Sequence, residues 1–273
     1  MAHSIEPALK AVRGFVPARN DEERYLMRHI EDLARTASSR GIARYSGFLS
    51  DREQQLAQAA LNRADVPEGE CRFDGGWPGA ERKILCLEPQ DSYPASPLCC
   101  VRLCCRTQPG AALPEHRDYL GSLMDLALRR EALGDIVLPA DRPGVAYVFA
   151  LETAAKLICE ELRQAGHTDL TAQMQPLEEL PVFPQAERTP QTATVSSLRL
   201  DAVLAAMLRC SRGQAAEYIT AGRVEINHLP AESVHAPVYE GDVFTVRGKG
   251  RYQLTGLPGK SKKDRSIIAF FQY

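Results

Sequence analysis

The segment 196–254 constrains the fold most, because helix caps and tight turns follow one another there at short spacings. Apolar residues recur at helical spacing over 200–207, which predicts a first short helix. Ser211 stands three residues before Gln214, the pattern of a capping box, and predicts the start of a second helix over 212–221. That helix is expected to end at Gly222, since glycine adopts the left-handed conformation of a helix C-terminus at little cost.

Short strands and turns complete this module. Val224, Glu225 and Ile226 alternate between apolar and polar side chains, which predicts a strand. Turn residues follow at Asn227-His228 and at 240–242, and a closing strand is expected over 243–247. The segment therefore predicts a small αα-β fold in which two helices pack on a short sheet.

The rest of the chain is long enough for further domains. Its 273 residues, 44% hydrophobic and 25% charged, have the composition of a globular protein with two or three domains. We predict an α+β fold overall. The predicted division is a helical N-terminal region over 1–68, an α+β middle domain over 70–174, a linker over 175–194 and the αα-β module over 195–273.

Periodicity supports the first two regions. Helical spacing over 26–33 and 49–62 predicts two helices, with a loop over 40–50 and Ser50 or Asp51 as the cap of the second. In the middle domain, strands are expected over 83–87, 98–106, 135–138 and 145–150, and helices over 119–130 and 152–164. Strands interleaved with two helices indicate a ferredoxin-like or RRM-like fold.

Charge is distributed unevenly along the chain. Residues 195–273 hold 11 Lys and Arg against 7 Asp and Glu, a net charge of +4. Residues 1–194 hold 22 against 28, a net charge of −6. A basic module beside an acidic body predicts an anion-binding face, as in nucleic-acid binders.

The eight cysteines are expected to be free thiols of a protein in the reducing cytoplasm. Over 99–105 they follow strand alternation, in which Cys99 and Cys105 face the core together with Val101 and Leu103. Neither a metal site nor a cofactor is expected from their spacing. The sequence has no stretch of 18 apolar residues, so we expect no membrane association.

The C-terminal module resembles a known domain. Its residues are similar in order and spacing to the S4-type RNA-binding domain, named after a ribosomal protein. The matching residues are Arg199-Leu200-Asp201, Ser211-Arg212 with Ala215, Gly222-Arg223-Val224 with Asn227, and Gly241-Asp242. His228 departs from the pattern, because the domain usually has glycine at this turn position, and a positive φ is uncommon for other residues. Asp264 also departs from it, standing where the basic run after Lys262 and Lys263 usually continues with glycine.

The preceding residues resemble the bacterial YlmH family. The similar motifs are 45–53, Gly75-Gly76 with Glu81-Arg82, His116-Arg117-Asp118-Tyr119-Leu120-Gly121, Arg129-Arg130-Glu131 and Gly134-Asp135-Ile136. The resemblance implies a non-enzymatic RNA-binding protein that acts on the large ribosomal subunit. Members of the family are linked to the rescue of stalled nascent chains near the peptidyl-tRNA, and earlier to cell division. Ribosomal RNA or tRNA is the implied partner, and we expect the protein to be a monomer.

The predicted RNA-binding residues lie at or near the second helix of the module and its turns. They are Arg199, Arg209, Ser211, Arg212, Gln214, Arg223, Asn227, His228, Arg247, Lys249 and Arg251. A helix N-terminus and arginine side chains both bind phosphate readily. The alternative is that Arg199 pairs with Asp201 or Glu217 and that Ser211 serves only as a helix cap.

A second RNA-facing or ribosome-facing surface is predicted in the middle domain. It comprises His116, Arg117, Arg129 and Arg130, which could instead form local caps and ion pairs. Two other classes of protein remain open on the sequence alone. One is an RNA-modifying enzyme with its active site within 70–170, and the other is a protein-interaction scaffold such as a cell-division partner.

Overall fold

A computed structural model of the protein describes residues 18–106, 112–183, 190–261 and 264–273. The predictions made for 1–17, for 184–189 of the linker and for Lys262 and Lys263 lie outside these residues. Residues 18–183 form one unit and residues 190–273 form another.

The first half of the first unit is a three-stranded antiparallel sheet with two helices on one face. Its elements are α1 (Asp21–Arg40), β1 (Arg44–Leu49), α2 (Asp51–Arg63), β2 (Cys71–Asp74) and β3 (Lys83–Leu87), and the strand order is β1-β3-β2. Ser50, one of the two predicted cap residues, caps α2 through a capping box with Glu53. Leu85 and Leu87 of β3 face the helices, where Ile30 belongs to the same core.

Two expectations for this region were wrong. The loop expected over 40–50 contains β1, which pairs with β3 about forty residues later along the chain. The region over 1–68 is therefore not purely helical, and the boundary drawn between 68 and 70 separates strands of one sheet. The strand was missed because Gly47 and Ser50 are typical of loops, whereas its pairing partner is distant in sequence.

The second half of the first unit has the ferredoxin-like topology that the sequence predicts. Its elements are β4 (Leu98–Cys105), α3 (His116–Asp125), β5 (Leu133–Val137), β6 (Val145–Leu151), α4 (Glu152–Glu161), β7 (Gln164–Ala165) and β8 (Thr168–Gln175). The strand order is β5-β6-β4-β8-β7, with antiparallel neighbours throughout. Val101 and Leu103 of β4 face α3 and α4, and Cys99 and Cys105 pack against the same core, as the alternation predicts.

Both helices of this half are shorter than expected. The first ends at Asp125, and Ala127 then takes a left-handed φ of 55°. The second ends at Glu161, after which Gly166 turns the chain between β7 and β8. The strand β8 was not predicted, because it pairs with β4, which is distant in the sequence.

The two sheets of the first unit pack face to face. Phe48 and Ile84 from the first sheet share a buried cluster with Cys100 and Phe149 from the second. The Trp77 ring packs against Phe149 at 6.4 Å between centroids, so it fills this junction and does not form an exposed stacking platform. The layers therefore run helices, sheet, sheet, helices.

Arg82 and Asp135, which belong to two of the resembling motifs, lie at the same junction. The Arg82 guanidinium donates to the carbonyl oxygens of Phe48 at 2.9 Å, Leu133 at 3.0 Å and Arg130 at 3.1 Å. The Asp135 carboxylate accepts from the Arg82 amide at 3.1 Å and from the Trp77 indole at 3.3 Å. These motifs therefore hold the two sheets together.

The second unit is a six-stranded antiparallel sheet with two helices on one face. Its elements are β9 (Gln191–Val195), α5 (Leu200–Leu208), α6 (Arg212–Thr220), β10 (Val224–Ile226), β11 (Leu229–Pro230), β12 (Val243–Val246), β13 (Gly250–Lys260) and β14 (Ser266–Gln272). The strand order is β11-β10-β12-β13-β14-β9. Both predicted helices and the strands β10 and β12 are confirmed.

This sheet is larger than the sequence predicts. The strand expected to close the module at 247 is followed by β13 and β14, and β9 from the predicted linker pairs with β14. Bulges near Gly256 and Gly259 break the alternation of β13, which removed the period-two pattern that would have marked a strand.

Candidate RNA-binding surface

The start of α5 and the start of α6 meet at one buried carboxylate. Arg199 is the N-cap residue of α5 and Arg212 is the first residue of α6. Arg199 donates to Asp201 through Nε and Nη2, both at 3.2 Å. Arg212 donates to the same carboxylate through Nε at 3.1 Å and through Nη2 at 2.5 Å. The ion pair between Arg199 and Asp201, which the sequence analysis gave as the alternative to RNA binding, is therefore present. Arg212 pairs with the same carboxylate.

Burial and charge act in opposite directions on Asp201. Burial by itself raises the pKa of this carboxyl group, but the hydrogen bonds from Arg212 and Arg199 outweigh it and the pKa is lowered overall. The carboxylate therefore remains ionised at neutral pH. The side chains of Arg212 and Arg199 are 48% and 39% exposed, so their outer edges reach solvent.

Ser211 and Gln214 form the capping box that their spacing predicts. The Gln214 amide donates to Ser211 Oγ at 3.2 Å, and Gln214 Oε1 accepts from the Ser211 amide at 3.1 Å. Each side chain thus satisfies a backbone group of the other at the start of α6. Both residues are exposed, and their structural role is sufficient to account for their spacing.

Five cations surround the turn between β12 and β13, and we call them the turn cluster. They are Arg209, Arg223, Arg247, Lys249 and Arg251. Arg223 donates through Nη2 to the Arg247 carbonyl oxygen at 2.8 Å, and the Arg247 amide donates to the Arg223 carbonyl oxygen at 2.9 Å. Burial, the larger influence, raises the pKa of Cys210 overall, while the Lys249 ammonium acts to lower it. Lys249 therefore lies close enough to Cys210, in the α5–α6 loop, to act on it electrostatically.

Further contacts fix the cluster on the sheet. Arg209 takes a left-handed φ of 53° at the end of α5 and donates to Gln191 Oε1 of β9 at 3.2 Å. The guanidinium of Arg251 lies over the Tyr273 ring, 4.4 Å from its centroid. Gly248, with φ 79°, makes the turn, which no β-branched residue would tolerate.

Most of the turn cluster is available for an anion. Among the described residues, Arg209, Arg223, Arg247 and Lys249 form no ion pair with a carboxylate. Arg209, Arg247 and Lys249 are exposed, as are the glycines that flank Lys249. The arrangement places several cations around an exposed, glycine-containing backbone, which suits contact with a phosphate chain.

Asn227 was predicted to bind RNA, and the structure gives it another role. It is buried, its Nδ2 donates to Asp242 at 2.7 Å, and its Oδ1 accepts from the Val243 amide at 2.8 Å. Asn227 therefore holds the β10-β11 turn and is removed from the candidate surface. His228 occupies that turn with a φ of 63° and is half-buried, so the turn that usually needs glycine forms with histidine here.

The predicted second surface is divided between the two ends of α3. His116 and Arg117 lie exposed in its first turn, and Arg117 is 3.3 Å from Glu115. Arg129 and Arg130 follow the helix, beyond a segment about 15 Å long. Arg129 is 84% exposed, and the distance from its Nη1 to Glu131 Oε1 is 3.9 Å, which makes a long ion pair. The four residues therefore do not form one cluster along the helix.

Cys86 and Cys100 are buried in the first unit. Burial raises the pKa of Cys86 and of Cys100 to about 12, so both are protonated core thiols. In the ranges that the structure describes, no group of three or more His, Cys, Asp or Glu side chains could hold a metal ion. No helix within those ranges is long and apolar enough to cross a membrane.

Two family models and a curated relative match this chain. Residues 198–244 match the family described as "S4 domain", and residues 111–179 match the "Putative RNA-binding domain in YlmH". The chain is 33% identical over 253 residues to the "Ribosome-associated protein quality control protein P2" of Bacillus subtilis (strain 168), and the match covers 92% of this chain and 95% of the relative. It is also similar to the solved "Cell division protein ylmH from Streptococcus pneumoniae", at 13% identity and a TM-score of 0.49, over 60% of this chain and 98% of the other.

The fold and the matched families define an RNA-binding protein with a C-terminal S4 domain, of α+β class, in a ribosome-related function. Within that class, the identity over nearly the whole chain shows that the protein belongs to the YlmH family.

Proposed function

We propose that the protein is a non-enzymatic, cytoplasmic monomer that binds the large ribosomal subunit and tRNA during the rescue of stalled nascent chains. The name of the Bacillus subtilis relative supports the process, and the S4 domain supports RNA as the ligand. Ribosomal RNA and tRNA would be bound through their phosphate backbones, which the cations of the C-terminal unit suit.

The turn cluster is the observation that carries this proposal. Cations that serve the fold are paired with carboxylates or backbone acceptors, as Arg82 is at the junction of the two sheets. Arg247 and Lys249 are exposed, form no ion pair among the described residues and flank Gly248. Exposed cations without a carboxylate partner can attract a polyanion such as RNA.

Co-sedimentation with purified large ribosomal subunits tests the proposal. The double variant Arg247→Gln/Lys249→Gln should bind about tenfold or more weakly, because each charged hydrogen bond contributes about 1.5–3 kcal/mol. The matched control, Arg24→Gln/Arg35→Gln, removes the same charge from exposed ion pairs on α1 and should bind normally. Equal binding by the wild type and both variants would contradict the assignment.

Crosslinking of the bound RNA, followed by sequencing, would then separate tRNA from ribosomal RNA. Nucleoside analysis of the same RNA before and after incubation tests the non-enzymatic part of the proposal. We expect an unchanged composition, and a modified nucleoside would favour an active site within 70–170.

The middle domain is proposed to supply a second contact once the S4 domain has bound. Because His116 and Arg117 are separated from Arg129 and Arg130, each pair needs its own variant. A contact of this kind adds through effective concentration, so it should strengthen subunit binding while leaving the affinity for short RNA hairpins unchanged. If neither His116→Ala/Arg117→Gln nor Arg129→Gln/Arg130→Gln alters co-sedimentation, the second contact is absent.

A further inference from the structure

We propose that Asp201 is a positioning residue for RNA binding, which holds Arg199 and Arg212 in one orientation toward an RNA phosphate. This inference rests on the proposed function, and it concerns a carboxylate that would be expected to oppose RNA on charge alone. Asp201 itself does not contact the ligand, because it is 5% exposed.

The buried carboxylate of Asp201 holds the guanidinium groups of both arginines. Asp201 is anchored in the fold, since its amide donates to the Val234 carbonyl oxygen at 3.1 Å and its side chain is 7% exposed. Each arginine turns its Nε and Nη2 edge toward this carboxylate, so its remaining Nη1 group points away from the pair. Arg199 Nη2 also contacts the imidazole of exposed His235, which restricts it further.

Two half-exposed guanidinium groups are thus held close together at the starts of two helices. A free arginine loses much side-chain freedom when it binds a ligand, and this loss reduces affinity. An arginine that is already fixed by a buried partner has lost part of that freedom during folding, so binding costs less entropy. The planar guanidinium then presents a defined donor edge to a phosphate oxygen.

Charge and position make opposite predictions for Asp201→Asn. If the carboxylate only neutralises the arginines, its removal adds one positive charge and tightens RNA binding. If it positions them, the released arginines must be ordered by the RNA, and binding weakens. We expect the full-length variant to bind an RNA hairpin about tenfold more weakly in filter binding at constant salt.

Asp242→Asn is the matched control in the same domain. Asp242 is also buried and accepts from Asn227 Nδ2 at 2.7 Å and from the Tyr239 amide at 2.9 Å, but it contacts neither arginine in these bonds. The substitution removes the same charge and likewise perturbs a buried hydrogen-bond network. Its RNA affinity should therefore stay within about twofold of wild type at a temperature where the melting curves show both variants folded.

A second variant, Asp201→Glu, keeps the charge and shifts the carboxylate by one methylene, and it should also weaken binding. Unchanged or tighter binding by Asp201→Asn would overturn the inference, as would an equal loss of affinity in Asp242→Asn. These outcomes differ from failure of the proposed function, in which the Arg247→Gln/Lys249→Gln variant binds as well as wild type. If only the turn-cluster variant binds more weakly, the proposed function stands and the role of Asp201 does not.

Discussion

Arginine is used differently in the two units of the chain. In the first unit, Arg52 lies 2.9 Å from Glu23 and Arg72 lies 3.2 Å from Glu88, while Arg82 donates to backbone carbonyls. In the second unit, Arg209 and Arg247 are exposed and form no ion pair among the described residues. These three arginines therefore join elements of the first unit, whereas Arg209 and Arg247 of the second unit are presented to solvent.

This comparison shows why net charge alone is a weak guide to a binding surface. Residues 1–194 contain 22 Lys and Arg, twice the number in 195–273. What distinguishes the turn cluster from the arginines that join elements of the first unit is the partner of each cation. Arg199 and Arg212 combine the two uses of arginine, because both form an ion pair with Asp201 and both still reach solvent.

The largest expected effect follows from removing the central arginine of the first unit. Arg82→Met removes the guanidinium that donates to the carbonyl oxygens of Phe48 and Arg130 and leaves Leu133 with only the longer bond from Arg130 Nη1 at 3.3 Å. Burial already lowers the pKa of the Arg82 guanidinium. We expect the free energy of unfolding to fall by about 3 kcal/mol or more. Urea unfolding followed by fluorescence of Trp77, the single tryptophan, reports on this unit.

Arg35→Met is the control for that measurement. Arg35 is 75% exposed and pairs with Asp32 one turn earlier on α1, so the change in the free energy of unfolding should stay within about 0.5 kcal/mol. Similar destabilisation by the two substitutions would contradict the structural role given to Arg82.

A smaller effect is expected from a glycine at the same junction. A Cβ atom at Gly134 would lie 2.5 Å from the buried Phe48 ring, so Gly134→Ala should destabilise the first unit by about 1–3 kcal/mol. Gly121, exposed within α3, has nothing within 4 Å of the added carbon, and Gly121→Ala should stabilise by about 0.5–1 kcal/mol. The same fluorescence assay checks both, and the same sign for both would contradict the packing.

Local signals in the sequence were sufficient where the structure is local. The Ser211–Gln214 capping box, the end of α6 before Gly222 and the alternation of β4 were all predictable from neighbouring residues. The strand β1 was not predictable, because it pairs with a strand distant in the sequence, and β13 was not, because bulges near Gly256 and Gly259 break its alternation. Sequence spacing also could not separate Asn227, which is buried, from the exposed cations near it.

A modest effect of pH is expected in the second unit. The pKa of Asp201 in the folded protein is lowered, so its ion pairs add stability above its ordinary pKa, and this stability is lost as the pH falls through the lowered value. The melting temperature of Asp201→Asn should therefore lie below that of wild type at pH 7, by at most about 5 °C. The difference should shrink in acid below the ordinary range of aspartate, as measured by circular dichroism. A gap that grows in acid would contradict the sign.

The smallest effect is expected at the exposed residues after α3. Arg129→Gln/Arg130→Gln should change the free energy of unfolding by about 0.5 kcal/mol or less, because Arg129 is 84% exposed and its ion pair is long. Trp77 fluorescence in urea measures this directly. Destabilisation comparable to that of Arg82→Met would place these residues among the structural arginines of the first unit.

The salt dependence of RNA binding tests the central claim most directly. If Arg247 and Lys249 bind phosphates, the full-length Arg247→Gln/Lys249→Gln variant should bind single-stranded RNA with a log–log salt slope shallower by about 1.4, since each phosphate neutralised adds about 0.7 to the slope. The Arg24→Gln/Arg35→Gln control, with the same change of charge on α1, should keep the wild-type slope. An unchanged slope in the turn-cluster variant, or an equal reduction in the control, would contradict the account.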